Sequence, residues 1–146
     1  MGGWRRIVHP TDFSPAGEPA FAQALEIAKR DDAELILVHV LEPISPLADG
    51  DYVARHAEFR TAMEATARQS LDRPLARAKR ANVTASGVVM EGWPPEEITK
   101  LARKRRADLI VIGTHGRHGM KKFLLGSVAE RVILLAPCPV LTVRGT

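Results

Sequence analysis

The chain has 146 residues, 45% of them hydrophobic, which is enough for one domain with its own core and no need of disulfides or a structural metal. Its net charge of +4, from 21 basic and 17 acidic residues, is a modest excess spread over most of the length, so no nucleic-acid partner is expected. No apolar run reaches the roughly 20 residues that cross a bilayer, and the start carries neither the apolar segment of a signal peptide nor a myristoylation pattern, because Arg6 stands where Ser or Thr is required. No membrane partner is expected either.

In chain order, residues 6–9 form the first of several short, nearly continuous apolar runs that read as buried parallel strands. A helix follows over residues 15–30, with Ser14 as its N-cap, Pro15 at its first position and Ala20, Ala24, Ile27 and Ala28 along one face. Residues 35–41 are a second strand. The loop 42–50, with Pro43, Pro46 and Gly50, is expected to be exposed and mobile. A long helix spans about 51–81, and Pro74 inside it is expected to kink or split it near Arg73. Residues 84–90 give a weaker strand signal.

The next helix starts at Pro94 and Pro95, with Glu96 and Glu97 in its first turn and Lys100, Arg103, Lys104, Arg105 and Arg106 toward its end. That order complements the helix macrodipole, so the basic run reads as a solvated helix end. A strand over 109–112, a last helix over about 127–135 that stops before Pro137, and a strand over 140–143 complete the chain. Cys138, between two prolines, reads as a small buried hydrophobe; with no second cysteine there is no internal disulfide, and a reducing, cytoplasmic setting is expected.

The alternation of strands and helices implies a single α/β domain over residues 1–146. Its expected architecture is a three-layer, open five-stranded parallel sheet, Rossmann-like, with order 3-2-1-4-5 and helices on both faces.

One connection departs from the norm. Strand-to-helix links in such folds run about 2 to 6 residues, whereas the link from Ile112 to the last helix runs from Gly113 to Gly126. It holds Gly113, Gly116, Gly119 and Gly126, the basic residues Arg117, Lys121 and Lys122, and His115 and His118. Glycines let a backbone approach a ligand and present its amides, and the loop delivers the chain to Ser127, which can cap the last helix beside that helix's unpaired amides. A phosphate fits such a place; equally, the glycines can serve only to shape a turn. Neither a P-loop nor a Gly-x-Gly-x-x-Gly fingerprint is present.

Ligands in open α/β sheets sit at the carboxyl ends of the strands where the order reverses, here between the first and fourth strands. Asp12, just past the first strand, would face the glycine loop and accept hydrogen bonds from a ribose or base; its plainer reading is a turn residue ahead of Ser14. The second strand ends at His39-Val40-Leu41, where backbone groups meet a base edge, while His39 itself reads as a packed core histidine.

These residues resemble the universal stress protein family of the UspA type. The likeness runs from Ile7-Val8-His9-Pro10-Thr11-Asp12-Phe13-Ser14 through His39-Val40 to the segment 107–116 and the ending Cys138-Pro139-Val140-Leu141-Thr142-Val143-Arg144. Its ATP-binding members have two glycines two residues apart, then nine residues, then Gly followed by Ser or Thr; Gly113, Gly116, Gly126 and Ser127 fit without a gap.

The resemblance implies ATP as ligand, with Mg2+ or Mn2+ carried on the phosphates. It places Pro10, Thr11, Asp12 and Val40 at the adenine and ribose, and Gly113, Thr114, Gly116, Arg117, Gly119, Gly126, Ser127 and Val128 around the phosphates. It also implies a homodimer through the last strand, Val140–Val143, and an apolar edge strand left unpaired is an aggregation hazard. His118 departs from the pattern, standing where small polar residues or glycine are frequent.

A ligand-responsive binding module is the expected function. The alternatives are a slow ATPase and a scaffold with a vestigial pocket. The sequence offers no general base beside the loop, and it lacks the His-Ile-Gly-His signature of nucleotidyl transferases. The intact glycine spacing speaks against a vestigial pocket.

Overall fold

The computed structural model describes residues 2–43, 50–115 and 125–145, with residues 50–54 described by their backbone alone. The strands are β1 (Arg6–Pro10), β2 (Glu34–Leu41), β3 (Ala85–Glu91), β4 (Leu109–Gly113) and β5 (Val140–Val143). The helices are α1 (Glu18–Asp31), α2 (Gly50–Arg80), α3 (Pro94–Lys104) and α4 (Ser127–Leu135), with a short 3-10 turn at Pro15–Gly17. All strand pairs are parallel and the order is β3-β2-β1-β4-β5, as the alternation of elements requires.

Strand side chains alternate between two cores, which is why the strands read as unbroken apolar runs. Ile7, Leu35, Leu37, Leu109 and Val111 point to one face and meet Phe21, Ala24 and Ile27 of α1 and Leu71 and Ala78 of α2. Val8, Ile36, Val38, Ile110 and Ile112 point to the other and meet Ile98, Leu101 and Ala102 of α3 and Ala129 and Val132 of α4. The predicted face of α1 is buried as expected, with Ala20, Ala24, Ile27 and Ala28 all at or below 5% exposure.

β3 is an edge strand and only half-buried, which accounts for its weak apolar signal. Its Gly87 lies where α2 comes closest: a Cβ there would stand 3.1 Å from Leu71 Cδ1 and 3.2 Å from Leu75 Cδ1. A small residue at this point lets the helix seat.

Several boundaries differ from the sequence reading. Ser14 does not cap α1. It precedes the 3-10 turn, its hydroxyl makes no capping bond, and α1 begins at Glu18 with Gly17 in the cap position. The prolines explain this, since Pro15 and Pro19 fit early helical positions and a tight turn between them keeps both. Pro74 does not split α2, which runs unbroken from Gly50 to Arg80; the packing of Leu71, Leu75 and Ala78 on the sheet offsets the one backbone bond that proline removes. Cys138 is partly rather than fully buried against the second core, and desolvation followed by the nearby Asp108 pushes its thiol pKa up. In the loop 42–50, Glu42 and Pro43 are exposed, and residues 44–49 lie outside the described residues.

Candidate functional site

The two central strands part at their carboxyl ends. β1 and β4 share only the pairs Ile7–Leu109 and Val8–Ile110, whereas β1 and β2 stay in register for five residues. At the point of parting the His9 side chain takes over: its ring Nδ1–H donates to the Val111 carbonyl at 2.8 Å. His9 is 2% exposed, and desolvation holds its pKa below the ordinary imidazole value, against smaller opposing effects of Val111, Glu18 and Asp12. The ring is therefore neutral, with Nδ1 as its donor.

Beyond His9 the chain makes a turn held by its own side chains. Thr11 Oγ1 accepts the Phe13 N–H at 3.0 Å, and Asp12 Oδ1 accepts the Ser14 N–H at 2.9 Å. Phe13 takes a left-handed φ of 64°, a costly conformation for a bulky residue, and its ring lies 4.7 Å from that of His39. His39 Nδ1–H in turn donates to the Thr11 carbonyl at 2.8 Å, while the Thr11 N–H donates to Val38 O, also at 2.8 Å. The turn after β1 is thus tied to the end of β2. His39 fixes the loop as well as packing against it.

On the other side of the gap, the Thr114 N–H donates to Val143 O at 3.0 Å and its carbonyl accepts the Gly126 N–H at 2.7 Å. This last bond joins the two ends of the long link just before α4. A Cβ on Gly126 would stand 2.7 Å from the Thr114 oxygen, a distance side chains essentially never show. Gly126 must stay small for the fold itself, so its presence no longer separates a working pocket from a vestigial one.

Gly126, and not Ser127, occupies the cap position of α4, with φ −62° and ψ 151° and no side chain capping the helix. Glu130 is the first residue whose N–H finds a carbonyl within the helix, that of Gly126. The amides of Ser127, Val128 and Ala129 have no acceptor inside the helix, and they lie at its positive end.

These elements enclose a cavity of about 430 Å³, within the usual range for small-molecule sites. Pro10, Thr11, Asp12, Val40, Gly113, Thr114, Gly126, Ser127 and Val128 all line it. Gly116, Arg117 and Gly119 lie outside the described residues, as do His118, Lys121 and Lys122.

Sequence reasoning missed Gly17, Met63, Pro94 and Ile98, which line the same space. For Pro94 a signal was available in the topology, since helices start at the carboxyl edge of a parallel sheet, whereas Gly17, Met63 and Ile98 had none in the sequence. His115 also lines the cavity, its Nδ1 2.9 Å from Thr114 Oγ1 and its Nε2 buried without a hydrogen-bond partner among the described residues.

The charged side chains among the described lining residues are Asp12 and Glu42, and no lysine or arginine is among them. A polyanionic ligand here would be met by the α4 amides and by what the loop supplies. No group of three or more His, Cys, Asp or Glu residues is placed to hold a metal among the described residues. Among them, too, no helix is long and apolar enough to cross a membrane.

A doubly wound parallel sheet whose central strands part over a cavity defines the class of open, Rossmann-like α/β domains. Within that class the chain belongs to the universal stress protein family, whose model matches residues 3–144. It is 37% identical over 141 residues to a universal stress protein of Methanocaldococcus jannaschii, covering 97% of this chain and 82% of the relative. Among solved structures, the universal stress protein UspA from Lactobacillus plantarum superposes with a TM-score of 0.89 at 25% identity, covering 99% of this chain and all of that one. A universal stress protein in complex with cAMP gives a TM-score of 0.69 at 27% identity, covering 99% of this chain and 100% of the other.

Proposed function

We propose that the cavity binds an adenine nucleotide, ATP, and that the protein acts as a ligand-responsive module rather than as an enzyme. The observation that carries this reading is convergence: the turn 10–12, Val40, Gly113, Thr114 and the start of α4 come from four separate stretches of chain yet line one space. Pro10, Thr11, Asp12 and Val40 form its adenine and ribose end. Asp12 keeps one oxygen on the Ser14 amide, and a carboxylate is the natural acceptor for ribose hydroxyls. Gly113, Thr114, Gly126, Ser127 and Val128 form the phosphate end; the family's glycine spacing assigns Gly116, Arg117 and Gly119 to the same role.

The amides at the start of α4, which no side chain of the cap residue engages, fit an anion. With no three-ligand cluster among the described residues, Mg2+ or Mn2+ would be held chiefly by the phosphates. The bound metal would supply charge neutralisation. A relative of similar fold bound to cAMP supports adenine recognition as a property this fold can carry.

Titration calorimetry of the purified protein with ATP, with and without magnesium, tests the reading. One binding event per chain is expected, and no heat at millimolar ATP overturns it. Phosphate release followed over many equivalents of ATP should show no sustained turnover.

We also propose a homodimer through β5. Among the described residues this strand pairs with β4 alone, and Leu141 on it and Ile133, Leu134 and Leu135 near the end of α4 are all at least 36% exposed. Light scattering after size exclusion should give twice the 16.0 kDa chain mass, and a Leu141→Lys variant should run as a monomer.

A further inference from the structure

At the opposite edge of the sheet each helix ends close to the start of the next strand: α1 at Asp31 before Glu34, α2 at Arg80 before Ala85, α3 at Lys104 before Leu109. The last turns of all three are basic, whereas that of α4 is not. Interaction with the negative helix ends accounts for such residues in general. It does not account for Arg6, the first residue of β1, which lies beside Arg105, the cap residue of α3, and Arg106, which follows it.

Together with Lys104, these three arginines line a separate cavity of about 310 Å³. Glu34 is the one carboxylate among the described lining residues, and its Oε2 lies 3.6 Å from Arg6 Nε. The other nearby acid, Asp108, is engaged with backbone, accepting the N–H groups of Arg5 and Arg6 at 2.9 to 3.2 Å. Arg6 Nη1 also donates to the Arg105 carbonyl at 3.4 Å, which ties the two segments together. Arg106 has a left-handed φ of 53°, in the turn that returns the chain to β4.

Four cations thus face one carboxylate in a concave space, and guanidinium groups present planar pairs of donors that match phosphate oxygens. We propose that this cavity at the amino edge is a second ligand site, for a compact anion carrying two or more phosphates. An extended nucleic-acid strand fits less well, because the cavity is concave and no aromatic side chain among the described lining residues offers a base a stacking surface. The inference stands independently of the nucleotide reading, since the two cavities share no residue.

The test is titration calorimetry of the full chain with inorganic tripolyphosphate at low salt, where binding that weakens as salt is raised is expected. An Arg6→Gln/Arg105→Gln double variant should lose about tenfold or more in affinity, each change removing charge-assisted hydrogen bonds. Lys104→Ala, at an exposed helix position, should lose a smaller factor in the same direction, and the unchanged urea midpoint of that variant guards against misfolding. Absence of heat with the wild type overturns the proposal. So does undiminished heat in the double variant, which would place the ligand in the glycine-loop cavity. A 20-nucleotide single strand that binds more tightly than tripolyphosphate, and is lost in the double variant, overturns the compact anion in favour of nucleic acid.

Discussion

The two edges of this sheet are built by the same alternation of elements and come out differently. At the amino edge, each helix reaches the next strand through two to four residues, and three of these turns hold a left-handed residue, Asp32, Asn82 or Arg106. At the carboxyl edge, the links after β1, β2 and β4 are longer, and the described parts are held by side chains such as Thr11, Asp12 and His39 bonding to backbone. Short turns leave little room to vary, so the amino edge carries its charge on fixed helix ends. Long links free the carboxyl edge to enclose a cavity lined mainly by backbone and small residues.

The largest effect should come from breaking the closure of the long link. Gly126→Val drives a side chain into the Thr114 carbonyl, and should abolish calorimetric ATP binding while costing about 1–3 kcal/mol in urea unfolding. Gly113→Ala is the control, because its nearest neighbour, His115 O at 3.5 Å, is at ordinary contact distance; its urea stability should stay within about 0.5 kcal/mol of wild type. Equal stability losses in the two variants would mean that the Gly126–Thr114 contact does not close the loop.

Asp12→Asn should leave the turn intact, since the amide oxygen still accepts the Ser14 N–H, yet weaken ATP binding about tenfold by removing the charge. Wild-type affinity in this variant would reduce Asp12 to a turn residue.

His9 sharpens the contrast through pH. Burial lowers its pKa in the folded state, so at neutral pH neither folded nor unfolded chain carries the proton. As pH falls below the ordinary imidazole value of 6.5, the unfolded chain takes up a proton that the folded chain resists. Stability should therefore decline from about pH 7 to pH 5, and the urea midpoint should decline less steeply in His9→Gln. Identical slopes would show that His9 does not govern the acid sensitivity.

The smallest effect belongs to the amino edge. Arg106→Gly relieves a left-handed side-chain residue and should stabilise the chain by up to about 1 kcal/mol in urea unfolding. A loss of stability instead would mean that Arg106 contributes more through its charge contacts than its backbone costs.

Most of the fold was legible because a strand covered on both faces cannot hide its apolar run: β1, β2, β4 and β5 were found within two residues of their observed ends. β3 was faint because it is a half-buried edge strand, with Gly87 where α2 seats on it. The start of α1 was misplaced by three residues at Ser14, and the span of α4 was right although Gly126 rather than Ser127 takes its cap position, because cap preference is a weak signal beside prolines and a backbone closure. Pro74 does not split α2 as it could have, since burial of a long helix face outweighs one missing hydrogen bond.

The candidate site divides the same way. Sequence alone identified the glycine spacing, the Asp12 turn and Val40, because these depend on residue type and on the position of strand ends. Only the tertiary structure decided that His9 bridges the parting strands, that His39 anchors the Thr11 turn, that the turn before α1, α2 and α3 lend Gly17, Met63 and Ile98 to the cavity, and that Arg6 meets Arg105 across 99 residues of chain. The physical reason is separation. Periodicity and turn chemistry act over a few neighbouring residues, whereas a cavity wall and a charge cluster exist only once distant segments are brought together by burying the strands between them.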